Sequence, residues 1–121
     1  MVTKHPADAF AHELRRGTVV LATLSRLAHP QYGYALRQAL AAHGMDIEEG
    51  TLYPLLRRLE ARGLLESEWR VEGGGPRRRY YRRSAEGNRR YRELVATWRA
   101  MRTAVDDLIR TEGAEPCKPT T

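Results

Sequence analysis

Apolar residues recur at helical spacing in three segments of the first two-thirds of the chain. The first segment runs from Asp8 to Ala28, the second from Tyr32 to Ala42 and the third from Glu49 to Arg62. This periodicity predicts three amphipathic helices. The predicted inward-facing residues are Phe10, Leu14, Val20, Leu21, Leu24 and Leu27 in the first helix, Tyr34, Ala35, Leu36, Ala39 and Leu40 in the second, and Leu52, Leu55, Leu56 and Leu59 in the third.

Proline and glycine mark the ends of these helices. Pro30 disfavours continuation of the first helix, while Gly44 and Gly63 follow the last periodic residues of the second and third. Three short helices, the second and third joined by a short turn, match a helix-turn-helix pattern. The third helix would then expose a face of Thr51, Pro54, Arg57 and Arg58. If it is capped near Gly50 or Thr51, Pro54 falls within the first turn, where its missing N–H costs little.

After Gly63 the apolar period changes from helical to extended. Residues 64–71 and 78–83 read as two strands, and the glycine-rich segment 72–76 reads as the turn between them. A hairpin of two strands is not stable alone in water, so it is expected to pack on the helices.

A longer helix is predicted from Ala85 to about Thr111, with Ser84 as its N-cap. Its apolar residues are spaced alternately by three and four positions, as in a heptad seam. The seam predicts a contact with a second copy of the chain, related by two-fold symmetry. The alternative is that the seam packs on the first helix of the same chain. The seam residues are Tyr91, Leu94, Trp98, Met101, Val105 and Leu108.

The net charge of +6, with 30% charged residues in 121, indicates an anionic partner, either nucleic acid or a membrane surface. Lys4 and Lys118 are the only lysines, so the positive charge is almost all arginine. Arginine binds phosphates and guanine edges well, although a GC-rich genome would produce the same bias.

Three successive arginines, Arg77, Arg78 and Arg79, follow the glycine-rich turn. Charge on an exposed hairpin also protects its edge from aggregation, but three adjacent arginines exceed that need and favour phosphate binding. Alternation along a strand places Arg78 with Tyr80 on one face and Arg79 with Tyr81 on the other, so the three arginines are not expected to share one role.

Several classes of function are disfavoured. Cys117 is the only cysteine, which gives no disulfide framework and fits a reducing, cytoplasmic setting. No apolar run reaches the roughly 18 residues that span a bilayer. An enzyme is not expected, because no paired carboxylates or nucleophile and base accompany the scattered histidines His5, His12, His29 and His43. A metal-responsive sensor stays possible if histidines gather across a dimer, although no ligand spacing supports it.

Three separated motifs closely resemble the PadR family of transcriptional regulators. They are G-T-L-Y-P-L-L-R-R-L-E-A-R-G-L-L at 50–65, E-G-G-G-P-R-R-R-Y-Y at 72–81 and S-A-E-G at 84–87. The family pattern commonly has threonine where Ser84 stands, which is a conservative difference. The resemblance implies a winged helix-turn-helix, a dimer formed through the last helix, and repression relieved by a small ligand. A single C-terminal helix is similar to the short-armed subgroup of the family.

The expected fold is therefore mostly α with a small two-stranded β-wing. We expect a mobile N-terminus at residues 1–7, a DNA-binding domain at 8–83, a dimerisation helix at 84–111 and a disordered tail at 112–121. No cofactor or metal is expected. An adaptor for nucleic acid or protein, without a small ligand, is the remaining alternative.

The expected partner is a pseudo-palindromic double-stranded DNA operator bound by a homodimer, with the third helix in the major groove. Arg57 is the candidate for a base edge and Arg58 for the DNA backbone. The other candidate DNA contacts are Thr51, Tyr53, Tyr34, Arg77, Arg78 and Arg79.

Trp98, with Leu94 and Met101, is the candidate site for a small aromatic ligand. The resemblance to multidrug-binding members, in which a tryptophan on this helix stacks on flat aromatic compounds, suggests this role. The alternative is that Trp98 belongs to the core of the dimer.

Overall fold

Residues 6–114, which a computed structural model describes, form four helices and three strands. The predicted mobile lead-in and disordered tail fall largely on residues 1–5 and 115–121, which lie outside the described residues. In chain order the elements are α1 (Pro6–Ser25), β1 (Gln31–Tyr32), α2 (Gly33–Ala42), α3 (Glu49–Ala61), β2 (Leu65–Val71), β3 (Arg77–Arg83) and α4 (Ala85–Arg110).

The core is built from leucines of the first three helices, closed on one side by the sheet. The predicted stripe of α3 is buried throughout, and Leu24 and Leu27 near the end of α1 are fully buried against it. Leu65 and Tyr81 carry the core into the two long strands. Because Leu52, Leu55, Leu56 and Leu59 all point inward, the opposite face of α3 is left for solvent.

The sheet has three antiparallel strands in the order β1-β3-β2, not the two predicted. In β1, Gln31 pairs with Tyr81 and Tyr32 pairs with Tyr80. A strand of two residues is too short to show alternation, and Pro30 directly precedes it, so the sequence reads as a loop there. The additional strand, β1, connects the start of α2 to the hairpin of β2 and β3.

The inward face predicted for α1 and α2 is correct only in part. Phe10 is 73% exposed and Leu14 is 81% exposed, because the first half of α1 lies beyond the core. The helix also ends at Ser25, earlier than predicted. On α2, Leu36 and Leu40 are buried as expected, but Tyr34 lies outward and is 54% exposed.

The predicted place of Pro54 in the first turn of α3 is wrong. The helix begins at Glu49, with Glu48 as an N-cap that makes no side-chain bond, so Pro54 is the sixth helical residue. Its ring nitrogen therefore cannot supply the hydrogen bond that the carbonyl of Gly50 would otherwise receive. Since Gly50 is exposed, water can bond to that carbonyl instead.

Glycines end α2 and α3 as predicted. Gly44 and Gly63 have φ angles of 85° and 79°, in the left-handed region that favours glycine. Beyond them the amides of Met45 and Leu64 donate to the carbonyls of residues 40 and 59, each at 2.9 Å, which closes the last turn of each helix.

The base of the hairpin is fastened to the start of α4. The predicted N-cap is confirmed, since the Ser84 hydroxyl oxygen accepts a 3.0 Å hydrogen bond from the amide of Gly87. The same hydroxyl donates to the carbonyl of Gly63 at 2.5 Å, and the Ser84 amide donates to the carbonyl of Leu64 at 3.0 Å. The end of α3, the first strand of the hairpin and α4 therefore meet at one joint.

Candidate nucleic-acid interface

A concavity of about 540 Å³ lies between α3 and the hairpin of β2 and β3. Four arginines line it, and no aspartate or glutamate does. Most of the candidate DNA contacts predicted from the sequence meet there: Tyr34, Tyr53, Arg57, Arg77, Arg78 and Arg79. Such a surface attracts a polyanion.

The outer face of α3 contributes Arg57 to this concavity. Thr51 and Arg58 are also exposed on this helix but are not part of the lining. Among residues 6–114, neither Arg57 nor Arg58 has a carboxylate within ion-pair distance. Both guanidinium groups therefore present their donors to solvent.

Tyr53 is held against the start of α2. A Cβ at Gly33 would lie only 2.5 Å from a ring carbon of Tyr53, so only glycine allows the ring to pack so closely. Burial raises the pKa of the Tyr53 hydroxyl, with a further contribution from Glu49 that Arg37 opposes. Like any tyrosine at neutral pH, Tyr53 keeps its hydroxyl proton and is able to donate to a phosphate oxygen.

The turn between α2 and α3 is held by Arg37. Its Nε donates to the carbonyl of Ile47 at 2.8 Å, and its Nη1 lies 3.3 Å from a carboxylate oxygen of Glu49. Nearby, the hydroxyl of Tyr34 accepts a 3.1 Å hydrogen bond from Gln38 and remains at the surface. The two contacts of Arg37 fix how α3 is presented relative to α2.

The two faces of the hairpin carry different arginines. Trp69 is opposite Arg79 in the register, and Arg70 is opposite Arg78. One face therefore carries Trp69, Arg77, Arg79 and Tyr81, and the other carries Arg70, Arg78, Tyr80 and Arg82. The predicted separation of Arg78 from Arg79 follows from this register.

Four of the hairpin arginines are engaged within the protein, so fewer are available than the sequence suggests. Arg70 pairs with Glu68 and Glu72, while Arg82 lies 3.1 Å from Glu66 and Arg79 lies 2.6 Å from Glu60. The fourth, Arg83, donates to the carbonyl of Leu24 at 2.6 Å and to Asn88 at 2.8 Å.

Arg77 and Arg78 have no acidic partner among the described residues. Each instead lies over an aromatic ring: Arg77 is 4.9 Å from the ring centre of Trp69, and Arg78 is 4.4 Å from that of Tyr32. Stacking restricts each guanidinium without neutralising it. These two arginines therefore keep positive charges that no acidic side chain among the described residues neutralises.

The predicted seam of α4 divides into one packed residue and an exposed stripe. Tyr91 is partly buried on its own chain, with the guanidinium of Arg83 4.1 Å above its ring. The residues that follow are more exposed, from 36% for Leu94 and 40% for Trp98 to 70% for Leu108. A groove of about 480 Å³ separates this stripe from α1, and its apolar lining includes Leu14, Val20, Leu21, Leu94, Trp98, Met101 and Val105.

Among the side chains that the structure describes, no three of histidine, cysteine, aspartate or glutamate come together as a metal-ligand group. None of the helices within residues 6–114 is both long and apolar enough to cross a membrane.

Comparison with known protein families identifies residues 20–93 as a match to the model of the transcriptional regulator PadR-like family. The match covers all of α2 and α3, the hairpin and the start of α4. This chain belongs to the PadR-like family. The resemblance inferred from its three motifs is thus confirmed, and so is the expectation of a regulator in place of an enzyme.

Relatives with known structures share the PadR-like fold. A PadR family transcriptional regulator from Eggerthella lenta is 49% identical, with a TM-score of 0.79 over 88% of this chain and 94% of that one. A PadR-like regulator from Bacillus cereus is 29% identical, with a TM-score of 0.75 over 83% and 99% of the two chains. These similarities confirm the predicted winged helix-turn-helix.

A curated relative, the transcriptional regulator Rv3488 of Mycobacterium tuberculosis, is 48% identical over 69 residues. That match covers 56% of this chain and 64% of the relative, so it spans less than two thirds of the relative's length.

Sequence reasoning missed three side chains in and beside the concavity of this PadR-like protein. Trp69 is 53% exposed and lines the cavity, whereas the sequence suggested only that it lies in the strand predicted at residues 64–71. Glu60 and Ser67 hold Arg79 and were not singled out. In the register of the hairpin, Ser67 is opposite Tyr81 and Trp69 is opposite Arg79. With that register, strand alternation places all four side chains on the same face of the hairpin.

Proposed function

We propose that the protein is a homodimeric, sequence-specific DNA-binding repressor. In this proposal each protomer places α3 in the major groove of a pseudo-palindromic operator, with half-sites about one helical turn apart. The main support is the concavity lined by Arg57, Arg77 and Arg78, none of which has a carboxylate partner among the described residues. A phosphate backbone is the polyanion that best fits a groove between a helix and a basic hairpin.

The residues of α3 are assigned different tasks in this proposal. Arg57 reads a base edge, because it projects from the face opposite the buried leucines and has no carboxylate partner among residues 6–114. Arg58 and Thr51 contact the backbone on either side of the groove. The Tyr53 hydroxyl, which is protonated at neutral pH, donates to a phosphate. Tyr34 lines the same concavity as Tyr53 and contacts the same strand of the DNA.

The wing, meaning the hairpin of β2 and β3, supplies the second part of the interface. Arg77 and Arg78 are stacked on aromatic rings but carry no ion pair among the described residues, which suits phosphate binding. Since they lie on opposite faces of the hairpin, they are expected to bind different phosphates.

Binding is tested on the duplex upstream of the protein's own gene, by gel shift at physiological salt with excess competitor DNA. We expect a sequence-preferring shift from wild type, and a loss of preference in Arg57→Ala of about 1–3 kcal/mol at one base position. Arg82→Ala is the matched control, because Arg82 pairs with Glu66 away from the concavity. Unchanged preference in Arg57→Ala would contradict the assignment.

The homodimer is proposed to form through α4 and the adjoining face of α1. The support is an apolar stripe that one copy leaves in solvent, including Met101 at 57% and Val105 at 50% exposure. Met101→Glu is expected to give monomers in sedimentation velocity at micromolar concentration, because it places a charge in the contact. Thr103→Glu is the control, since its position lies outside the heptad seam. A monomeric wild type would reject the dimer.

Release by a small planar aromatic ligand is proposed to occur in the groove between α1 and α4. Trp98, Leu94 and Met101 line it, and an aromatic ligand would stack on the indole. Because the chain has two tryptophans, Trp69→Phe leaves only Trp98 as a fluorophore and Trp98→Phe leaves only Trp69. Quenching by planar aromatic compounds is expected in Trp69→Phe alone. Equal quenching in both variants would contradict a specific site at Trp98, and no quenching in Trp69→Phe would favour Trp98 as dimer core.

A further inference from the structure

A closed polar network joins α3 to both strands of the wing. Glu60 is the next-to-last residue of α3. Nη2 of Arg79, on β3, donates a 2.6 Å hydrogen bond to Oε1 of Glu60. Ser67 on β2 donates to the other carboxylate oxygen of Glu60 at 2.5 Å, and its own oxygen accepts from Nε of Arg79 at 3.0 Å. Three elements are thus connected through three side chains.

This network differs from the other ion pairs of the wing. Arg70 and Arg82 pair with glutamates of the same hairpin, so those pairs connect the wing only to itself. The pair of Arg79 and Glu60 is the one that reaches α3 among the residues described. It is also less exposed, with Arg79 at 37% and Glu60 at 27%, against 58% and 55% for Arg82 and Glu66. Solvent therefore weakens it less.

The position of Arg79 also affects the tip of the wing. Its guanidinium lies 5.9 Å from the ring centre of Trp69 and 5.4 Å from that of Tyr81. The other stacked arginine, Arg77, lies over the same Trp69 ring at 4.9 Å. A shift of Arg79 would therefore move the indole on which Arg77 rests.

We propose that Arg79 and Glu60 are positioning residues that fix the angle between the wing and α3, and that Arg79 is not itself a phosphate contact. The proposal rests on the DNA-binding function proposed above. Held at this angle, Arg57 on the helix and Arg77 on the wing face the same duplex. Glu60 neutralises Arg79, so the pair has little net charge with which to attract phosphate.

The two possible roles of Arg79 predict opposite effects of Glu60→Ala. If Arg79 binds phosphate, removal of the carboxylate frees its guanidinium and removes a repulsive charge, so DNA affinity rises. If the pair sets the wing angle, removal of either partner weakens binding, because the wing is no longer held against α3. The direction of this change is therefore decisive.

The experiment measures fluorescence anisotropy of the upstream duplex with the full chain at several salt concentrations. Glu60→Ala, Arg79→Ala and the double variant are each expected to weaken binding roughly three- to tenfold, in the range of residues that act through neighbours. The double variant is expected to be no weaker than Arg79→Ala, because both changes remove one network. The exposed pair of Arg82 and Glu66 provides the matched control cycle. Glu66→Ala, Arg82→Ala and their double variant are each expected to change the affinity for DNA by less than twofold.

A second readout needs no DNA. In a Trp98→Phe background Trp69 is the sole tryptophan, and its quenching by acrylamide is expected to increase in Glu60→Ala and Arg79→Ala but not in Glu66→Ala. Ser67→Ala, which removes only a hydroxyl, is expected to show a smaller effect of the same sign in both assays. It keeps the test informative if a charge deletion prevents folding.

Tighter or unchanged binding by Glu60→Ala would overturn the positioning role, as would a salt slope that falls by about one in Arg79→Ala alone. Tighter binding or the lower salt slope would make Arg79 a phosphate contact, whereas unchanged binding would mean that the pair plays no part in DNA binding; each of these results would leave the DNA-binding function intact. Wild type that binds no duplex would instead refute the proposed function, and the inference with it.

Discussion

Gly87 is the residue at which one added methyl group should disturb the joint between the wing and α4. A Cβ there would lie 1.9 Å from the carbonyl oxygen of Leu64 and 2.9 Å from its carbonyl carbon. Both are backbone atoms, and the oxygen already accepts the 3.0 Å hydrogen bond from the amide of Ser84. Gly87→Ala therefore cannot be accommodated by rotation of a side chain.

The cost follows from the required movement. Real Cβ atoms stay at least 3.0 Å from such neighbours, so α4 and Leu64 must separate by about 1.1 Å. Overpacking of this kind costs roughly 1–3 kcal/mol, and a weakened bond from Ser84 adds about 1 kcal/mol. The better helix propensity of alanine returns up to about 1 kcal/mol. We expect a net loss of about 1–3 kcal/mol in the free energy of unfolding.

Urea denaturation followed by circular dichroism at 222 nm measures this loss, at one protein concentration because a dimer would make stability depend on it. Gly50→Ala is the matched control: it is also near the start of a helix, but nothing lies within 4 Å of its added Cβ. That variant should be unchanged or slightly more stable. If Gly87→Ala is as stable as Gly50→Ala, the close approach of α4 to Leu64 is not as described.

Three further outcomes are expected. Arg77→Ala should weaken binding to all duplexes alike and lower the slope of log affinity against log salt by about one, measured by anisotropy, whereas a loss confined to one base position would contradict a phosphate contact. Arg83→Ala should lower the free energy of unfolding by about 1–3 kcal/mol in urea, because it leaves the carbonyl of Leu24 without its donor, and Arg82→Ala should not. Burial raises the pKa of Tyr81, with Arg79 opposing the shift. Its contribution to stability is therefore present below about pH 10 and lost as pH rises through the folded pKa. Tyr81→Phe should lose less stability than wild type between pH 9 and about 11 in urea titrations, and an identical loss would contradict this.

The helices and the hairpin could be predicted because their signals are local. The leucine stripe of α3, the glycines after α2 and α3, and the serine before α4 each act within a few residues. The missed strand β1 depends instead on pairing with β3, which is distant in the sequence. The position assigned to Pro54 was wrong because the helix was assumed to be capped near Gly50 or Thr51, whereas α3 begins at Glu49.

The candidate interface was predictable as a set of residue types but not as a set of roles. Counting the wing arginines gives an excess of positive charge, yet most of them have partners that sequence spacing does not reveal. Arg83 bonds to a carbonyl 59 positions away, and Arg79 pairs with Glu60 across 19 positions. Only the fold separates these residues from Arg77 and Arg78, which keep their charge available to DNA.

The central claim is that two copies present α3 to a two-fold symmetric DNA site. Selection of bound duplexes from a random library, followed by sequencing, tests it most directly. We expect wild type to enrich an inverted repeat with half-sites centred about 10 base pairs apart, and Arg57→Ala to lose preference at one position in each half. Enrichment of no sequence, or of a single site without a repeat, would contradict this account.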